Sequence, residues 1–143
     1  MKVKFDEIKI DTEYENQIIN LDESINSILS SHDCSDGLVN LFVPGSTGAL
    51  TTIEHEIGLI KDLPIILDKI IPPDGTSHKY YHNVYNGDDN GHSHIRASVI
   101  GPSISVPFKN GKLLTGIWQN VVFIEFDAHS PRHRNLIVTI LGD

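Results

Sequence analysis

Glycine and proline turns cut this sequence into short apolar runs, and only two stretches carry a regular helical period. Residues 2–10 alternate, with Val3, Phe5, Ile8 and Ile10 as the apolar members. A slip at Asp6-Glu7 predicts a bulge in that strand. Residues 14–19 are expected to pair back on it as a second strand. Leu21, Ile25, Ile28 and Leu29 then fall on one face of a helix, with Asn20 or Asp22 as its N-cap and an acidic first turn suited to the helix dipole. Strands are expected over 37–43 and 49–55. Leu59, Leu63, Ile66, Leu67 and Ile70 predict a second helix over 59–71, starting near Leu63 so that Pro64 lies in its first turn. Pro72-Pro73-Asp74-Gly75 ends it. Residues 75–94 read as a long polar and aromatic loop, a length that usually accompanies function. Four more strands are expected over 95–100, 104–108, 112–126 and 135–141, with Asn110-Gly111 as a hairpin turn. Many strands and two helices define an α+β class: a mixed, mostly antiparallel β-sandwich with two helices packed outside.

A chain of 143 residues without repeats or a linker suggests a single domain spanning 1–143. Asp and Glu number 19 against 11 Lys and Arg, giving a net charge of −8, which argues against nucleic acid or an anionic membrane as partner. No apolar run reaches the roughly 18 residues of a membrane span, and the opening Met1-Lys2-Val3-Lys4-Phe5-Asp6 does not read as a signal peptide. The single cysteine, Cys34, sits in a polar stretch, excludes an internal disulfide and a Cys-rich zinc site, and fits a cytoplasmic location.

Histidine is the unusual component: eight residues, four of them between His78 and His94. On an extended segment His92 and His94 would point to one side, and His82 would fold back across a glycine-rich turn to complete an open three-histidine metal site. The alternative is one buried, hydrogen-bonded imidazole with the others solvated. Gly45-Ser46-Thr47-Gly48 is either an anion-holding turn or a tight link between strands. Glu54 with Glu56, and Glu125 with Asp127, are carboxylate pairs placed for acid/base or Mg²⁺ chemistry. Glu125 lies in the apolar stretch Val121-Val122-Phe123-Ile124-Glu125-Phe126, where it is either a buried acid/base or the structural partner of Arg132 or Arg134. Arg96, Arg132 and Arg134 are the cations for a phosphate-bearing ligand, with Arg132-His133-Arg134 readable equally as a solvated turn. Trp118 either stacks on a flat ring, with Gln119 reading its polar edge, or belongs to the core.

Taken in order, several stretches resemble the YjbQ family of secondary thiamine-phosphate synthase-like proteins. They are Phe42-Val43-Pro44-Gly45-Ser46-Thr47-Gly48-Ala49, Asn90-Gly91-His92-Ser93-His94-Ile95-Arg96-Ala97, Gly101-Pro102-Ser103, Asn110-Gly111-Lys112-Leu113, Gly116-Ile117-Trp118-Gln119, Glu125-Phe126-Asp127 and Arg132-His133-Arg134. The resemblance implies a mixed β-sandwich with two helices, assembled as a homotrimer. It implies the joining of a thiazole phosphate to a pyrimidine methyl diphosphate with release of pyrophosphate, usually with a divalent metal such as Mg²⁺ or Zn²⁺. His94 matches the family's Ala-His-Leu histidine, Asn90 the asparagine four residues before it, Thr47 the second threonine of a His-Thr-Thr motif, and Glu54 a family glutamate. Gly45 stands where many members carry the first residue of that motif, His92 where an acidic residue is common, and Arg96 where Lys is frequent. On this basis His94 and Glu125 are the expected catalytic residues, and His82, His92 and His94 the expected metal ligands. Thr47, Asn90, Arg96, Trp118 and Gln119 are expected to bind a small phosphorylated substrate. Two other activities compatible with the same residues are metal-dependent hydrolysis of a small phosphate ester and non-enzymatic capture of an anionic metabolite.

Overall fold

A computed structural model of the chain describes residues 1–73 and 79–143. The first part of the expected long loop, including His78, lies outside the described residues. Among the described residues eight strands form two sheets, and every pairing is antiparallel. The larger sheet joins β1 (Lys2–Asp11), β8 (His133–Gly142), β3 (Gly37–Phe42), β5 (Ser103–Lys109) and β6 (Lys112–Leu113) in that order. The smaller joins β2 (Ile18–Asn20), β7 (Asn120–Glu125) and β4 (Gly48–Ile53). The α+β sandwich expected from the sequence is therefore the architecture observed. Four helices accompany it among the described residues: α1 (Asp22–Ser31), α2 (Ile57–Ile70), α3 (Tyr81–Asn86) and α4 (Gly91–Ile100).

The apolar faces of the sheets meet around Val39, Leu41, Leu136, Val138 and Ile140 from one side and Leu50, Val121 and Phe123 from the other. Helix α1 contributes Leu21, Ile25 and Leu29 to that same core instead of lying outside it. The opposite face of the small sheet is covered by α2 and α4: Ala49, Val122 and Ile124 pack with Leu67 and Ala97. The small sheet is thus buried on both faces, which accounts for the unbroken apolar run of β7.

Several sequence expectations change here. β1 pairs with β8 in one register from Lys2↔Gly142 to Asp11↔His133, without a bulge at Asp6-Glu7. Its inward residues are Lys4, Asp6, Ile8 and Ile10, so Val3 and Phe5 face outward. β2 pairs with β7, not back on β1. The single strand expected over 112–126 is divided: β6 closes the Asn110-Gly111 hairpin of the large sheet, where both turn residues have positive φ (51° and 68°), and β7 belongs to the small sheet. Helix α2 begins at Ile57 and keeps Pro64 in its interior, because the Glu56 carboxylate caps it by accepting from the backbone N–H groups of Gly58 and Leu59. That use of Glu56 also removes the proposed Glu54/Glu56 catalytic pair. The largest change is residues 91–100, expected as the end of a loop and a strand, which form α4.

Candidate active site

The strand-to-helix change at α4 decides which imidazoles can act together. Residues two apart in a helix are rotated by about 200° about its axis, so His92 and His94 face opposite ways. His92 is turned into the protein, 3% exposed, with Nε2 2.7 Å from Glu15 Oε1. His94 is turned toward α3, where its ring centroid lies 4.3 Å from that of His82. The expected three-histidine cluster is therefore a pair, His82 and His94, with His92 outside it.

His94 lies where three cavities meet. One, of about 690 Å³, is lined by Ile70, Ile71, Tyr80, Tyr81, His82 and Ile95 among others. A second, of about 510 Å³, runs along Gly45, Ser46, Gly48, Ala97 and Pro102. A third, of about 320 Å³, is polar and is bounded by Ser46, Thr47, Asn90, Asp127, Arg132 and Arg134. Burial first, and then the neighbouring His82, pull the His94 imidazolium pKa below its ordinary value, against a hydrogen bond to the Ser46 backbone and the more distant charges of Asp127 and Asp88. That shift favours the neutral imidazole, which can accept a proton or donate one ring N–H.

Asn90 supports this pair from the residue just before α4. It is buried, and its Oδ1 lies 3.1 Å from His82 Nε2, which orients the His82 ring with Nε2 as donor. Gly91 follows it because any side chain there would collide with Tyr80: a Cβ would lie 2.6 Å from Tyr80 Cβ and 2.9 Å from Asn83 Oδ1. The glycine lets α4 start hard against α3, and this brings His94 to His82.

The floor of the polar cavity is a network of carboxylates and guanidinium groups. Glu125 is fully buried and receives Arg134 through Nε at 2.8 Å and Nη2 at 2.5 Å, and Thr12 through its hydroxyl at 3.0 Å. Of the two readings open for Glu125, its bonds are those of the structural partner of Arg134. Thr47 is buried beneath the turn, accepting from Arg134 Nη2 at 2.9 Å and donating to Asp127 Oδ2 at 3.2 Å. Burial would raise Asp127, but the His129 backbone N–H, the Arg132 guanidinium and the Thr47 hydroxyl hold its carboxyl below the usual range. Arg132 reaches Asp127 through Nε and Nη2 and remains 45% exposed, so it keeps donors for a ligand.

The other expected binding residues lie elsewhere. Arg96 is completely buried: Nε and Nη2 donate to the Ile71 carbonyl, Nη2 to Asp68 Oδ1 at 2.7 Å, and Nη1 to Asn16 Oδ1 at 3.1 Å. These bonds fasten α4 to the end of α2. Gln119 donates to Thr52 at the end of β4 remote from Gly48, and Trp118 beside it is 70% exposed, so neither belongs to the histidine cavities within this chain. The reading of Trp118 as a core residue is overturned by that exposure. Glu15, Tyr81 and His129 had no distinguishing pattern in the sequence. Glu15 is identified by its bond to His92, Tyr81 by the cavity wall it builds, and His129 by its contacts with Asp88 and Asp89.

A family model described as UPF0047 protein YjbQ-like matches residues 6–143. A UPF0047 protein of Methanothermobacter thermautotrophicus is 32% identical over 142 residues, covering 99% of this chain and 94% of its own. One from Archaeoglobus fulgidus is 34% identical over 135 residues, covering 94% of this chain and 99% of its own. Among solved structures, a YbjQ-like protein of unknown function from Sulfolobus solfataricus superposes with a TM-score of 0.89 at 33% identity, over 99% of both chains. A hypothetical protein from Aeropyrum pernix gives 0.87 at 28% identity, over 98% of this chain and 99% of its own. No helix among the described residues is long and apolar enough to cross a membrane.

Proposed function

The chain belongs to the YjbQ/UPF0047 family, and from that premise and the cavities around His94 we propose a transferase of small phosphorylated heterocycles, with thiamine-phosphate synthesis as its specific form. The observation that carries the reading is the position of His94 where an aromatic-walled cavity meets a polar one. Tyr80, Tyr81 and Ile95 offer flat and apolar surface for a heteroaromatic ring. Ser46, Asn90 and Arg132 offer polar groups for phosphate oxygens. Arg132 takes the role expected of Arg96, which supports α4 from within.

In the reaction a thiazole ring nitrogen attacks the methylene carbon of the pyrimidine methyl diphosphate. The new C–N bond forms as the C–O bond breaks, and its electron pair leaves with pyrophosphate. A neutral imidazole assists by donating its N–H to the departing oxygen, which holds the leaving group without adding a second buried charge. Glu125 acts through Arg134 and Thr47, which fix the floor of the turn. Purified protein supplied with both phosphorylated heterocycles is expected to form thiamine phosphate above the spontaneous rate. His94→Ala is expected to lower that rate by about 10²–10⁴-fold, the usual range for a positioned proton-transfer or hydrogen-bonding group. Product formation no faster than in protein-free buffer overturns the transferase.

A further inference from the structure

Next to Asp127 of the polar cavity, side chains from separate segments converge on one point. Asp88 and Asp89 lie between α3 and α4, and His129 lies between β7 and β8. His129 Nε2 is 2.5 Å from Asp89 Oδ1 and 3.6 Å from Asp88 Oδ1. On the other side of Asp88, His82 Nε2 is 3.8 Å from Oδ2. One donor atom from each of Asp88, Asp89 and His129 lies within 4.8 Å of the other two. Beneath them, Asp127 Oδ1 is 3.9 Å from His129 Nδ1.

Asp88 and Asp89 place two carboxylates beside one imidazole. Among the described residues their ion pairs are to His129 and His82 only, with no lysine or arginine. The three donors, from two separate loops, surround a place suited to a doubly charged ion. Ligands about 2.1 Å from a metal lie roughly 3–4 Å from one another, so the observed separations need shifts of no more than about 1 Å. The donor set is one imidazole nitrogen with two carboxylate oxygens, and the imidazole favours a borderline ion such as Zn²⁺ or Co²⁺ over Ca²⁺ or Mg²⁺. We propose that Asp88, Asp89 and His129 bind one divalent transition-metal ion beside Asp127 and His82.

This site differs from the His82, His92 and His94 set expected from the sequence, and it does not depend on the transferase reading. Its test uses no substrate. Tag-free, chelator-treated protein is titrated with Zn²⁺ in a calorimeter and with Co²⁺ followed by visible absorption, near pH 7.5. One ion per chain is expected. His129→Ala and Asp89→Asn are each expected to weaken binding at least tenfold, while thermal melts check that both variants remain folded. His133→Ala removes a histidine that is 95% exposed and paired only with Asp11, and it is expected to bind as the wild type does. No saturable binding, or equal binding by His129→Ala and wild-type protein, overturns the site. Loss of binding only in His133→Ala does so too, because the ion would then be held by an ordinary surface histidine. Thiamine-phosphate formation can fail without affecting any of these titrations.

Discussion

The two sides of α4 carry similar residues and do different work. Toward Glu15 and Asp68, His92 and Arg96 are buried and bonded, and they fasten the helix to the segment before β2 and to the end of α2. Toward α3, His94 faces cavities, and its nearest ring is His82. The partners account for the difference. A buried polar group that is bonded within the protein holds the fold together, whereas one set at a cavity wall remains free to act on a ligand. The proposed chemistry thus rests on one side of a helix that the other side keeps in place.

Arg96→Met should damage the fold most. It leaves the buried Ile71 carbonyl without its two guanidinium donors and removes the cation beside the half-exposed Asp68, and a loss of about 3 kcal/mol is expected from leaving a charge-assisted, buried acceptor unpaired. A urea midpoint that falls at unchanged slope would show it. A wild-type midpoint would mean that the network contributes no net stability. The paired variants His92→Ala and His94→Ala sharpen the contrast. His92→Ala removes a buried, carboxylate-bonded ring and should cost about 2 kcal/mol. His94→Ala should stay within about 0.5 kcal/mol, as for a side chain outside such a network. Equal losses from the two would erase the distinction between the sides.

The smallest effect is electrostatic and is read by NMR titration of the imidazoles. The His94 pKa is lowered from 6.5, chiefly by burial, so its folded form resists protonation. The stability it contributes is present above about pH 6.5 and is lost as pH falls below that value. His129 is raised from 6.5, chiefly by its hydrogen bond to Asp89, so its contribution is present below about pH 6.5 and is lost as pH rises through its folded pKa. His94 is expected to titrate below 6.5 and His129 above it. A common midpoint for the two rings would contradict both assignments.

Much of the frame was legible because its signals are local. Asn110-Gly111 made the hairpin it predicted, since both residues accept the positive φ that the turn requires. Leu21, Ile25 and Leu29 marked the buried face of α1 directly. Helix α4 was not legible. Ile95, Val99 and Ile100 favour a strand, and alternation of His92 and His94 strengthens that reading, yet the segment packs Ala97 on the small sheet as a helix. Glu125 was recognisable as a buried carboxylate with Arg132 or Arg134 as its partner, and the tertiary structure selects Arg134. Trp118 carried no local sign that it would stand on the surface.

The sequence by itself determined the Asn110-Gly111 turn, the apolar face of α1 and the two-sheet α+β class, because each depends on neighbours a few residues away, whereas on α2 Leu67 is buried and Ile66 and Ile70 of the expected face stay exposed. Tertiary structure decided that α4 is a helix, that Arg96 is enclosed, and that His94 joins His82 while His92 turns inward. The reason is angular: successive side chains alternate by about 180° in a strand and step by about 100° in a helix. The same two histidines therefore share a site or separate according to a backbone choice that distant packing makes.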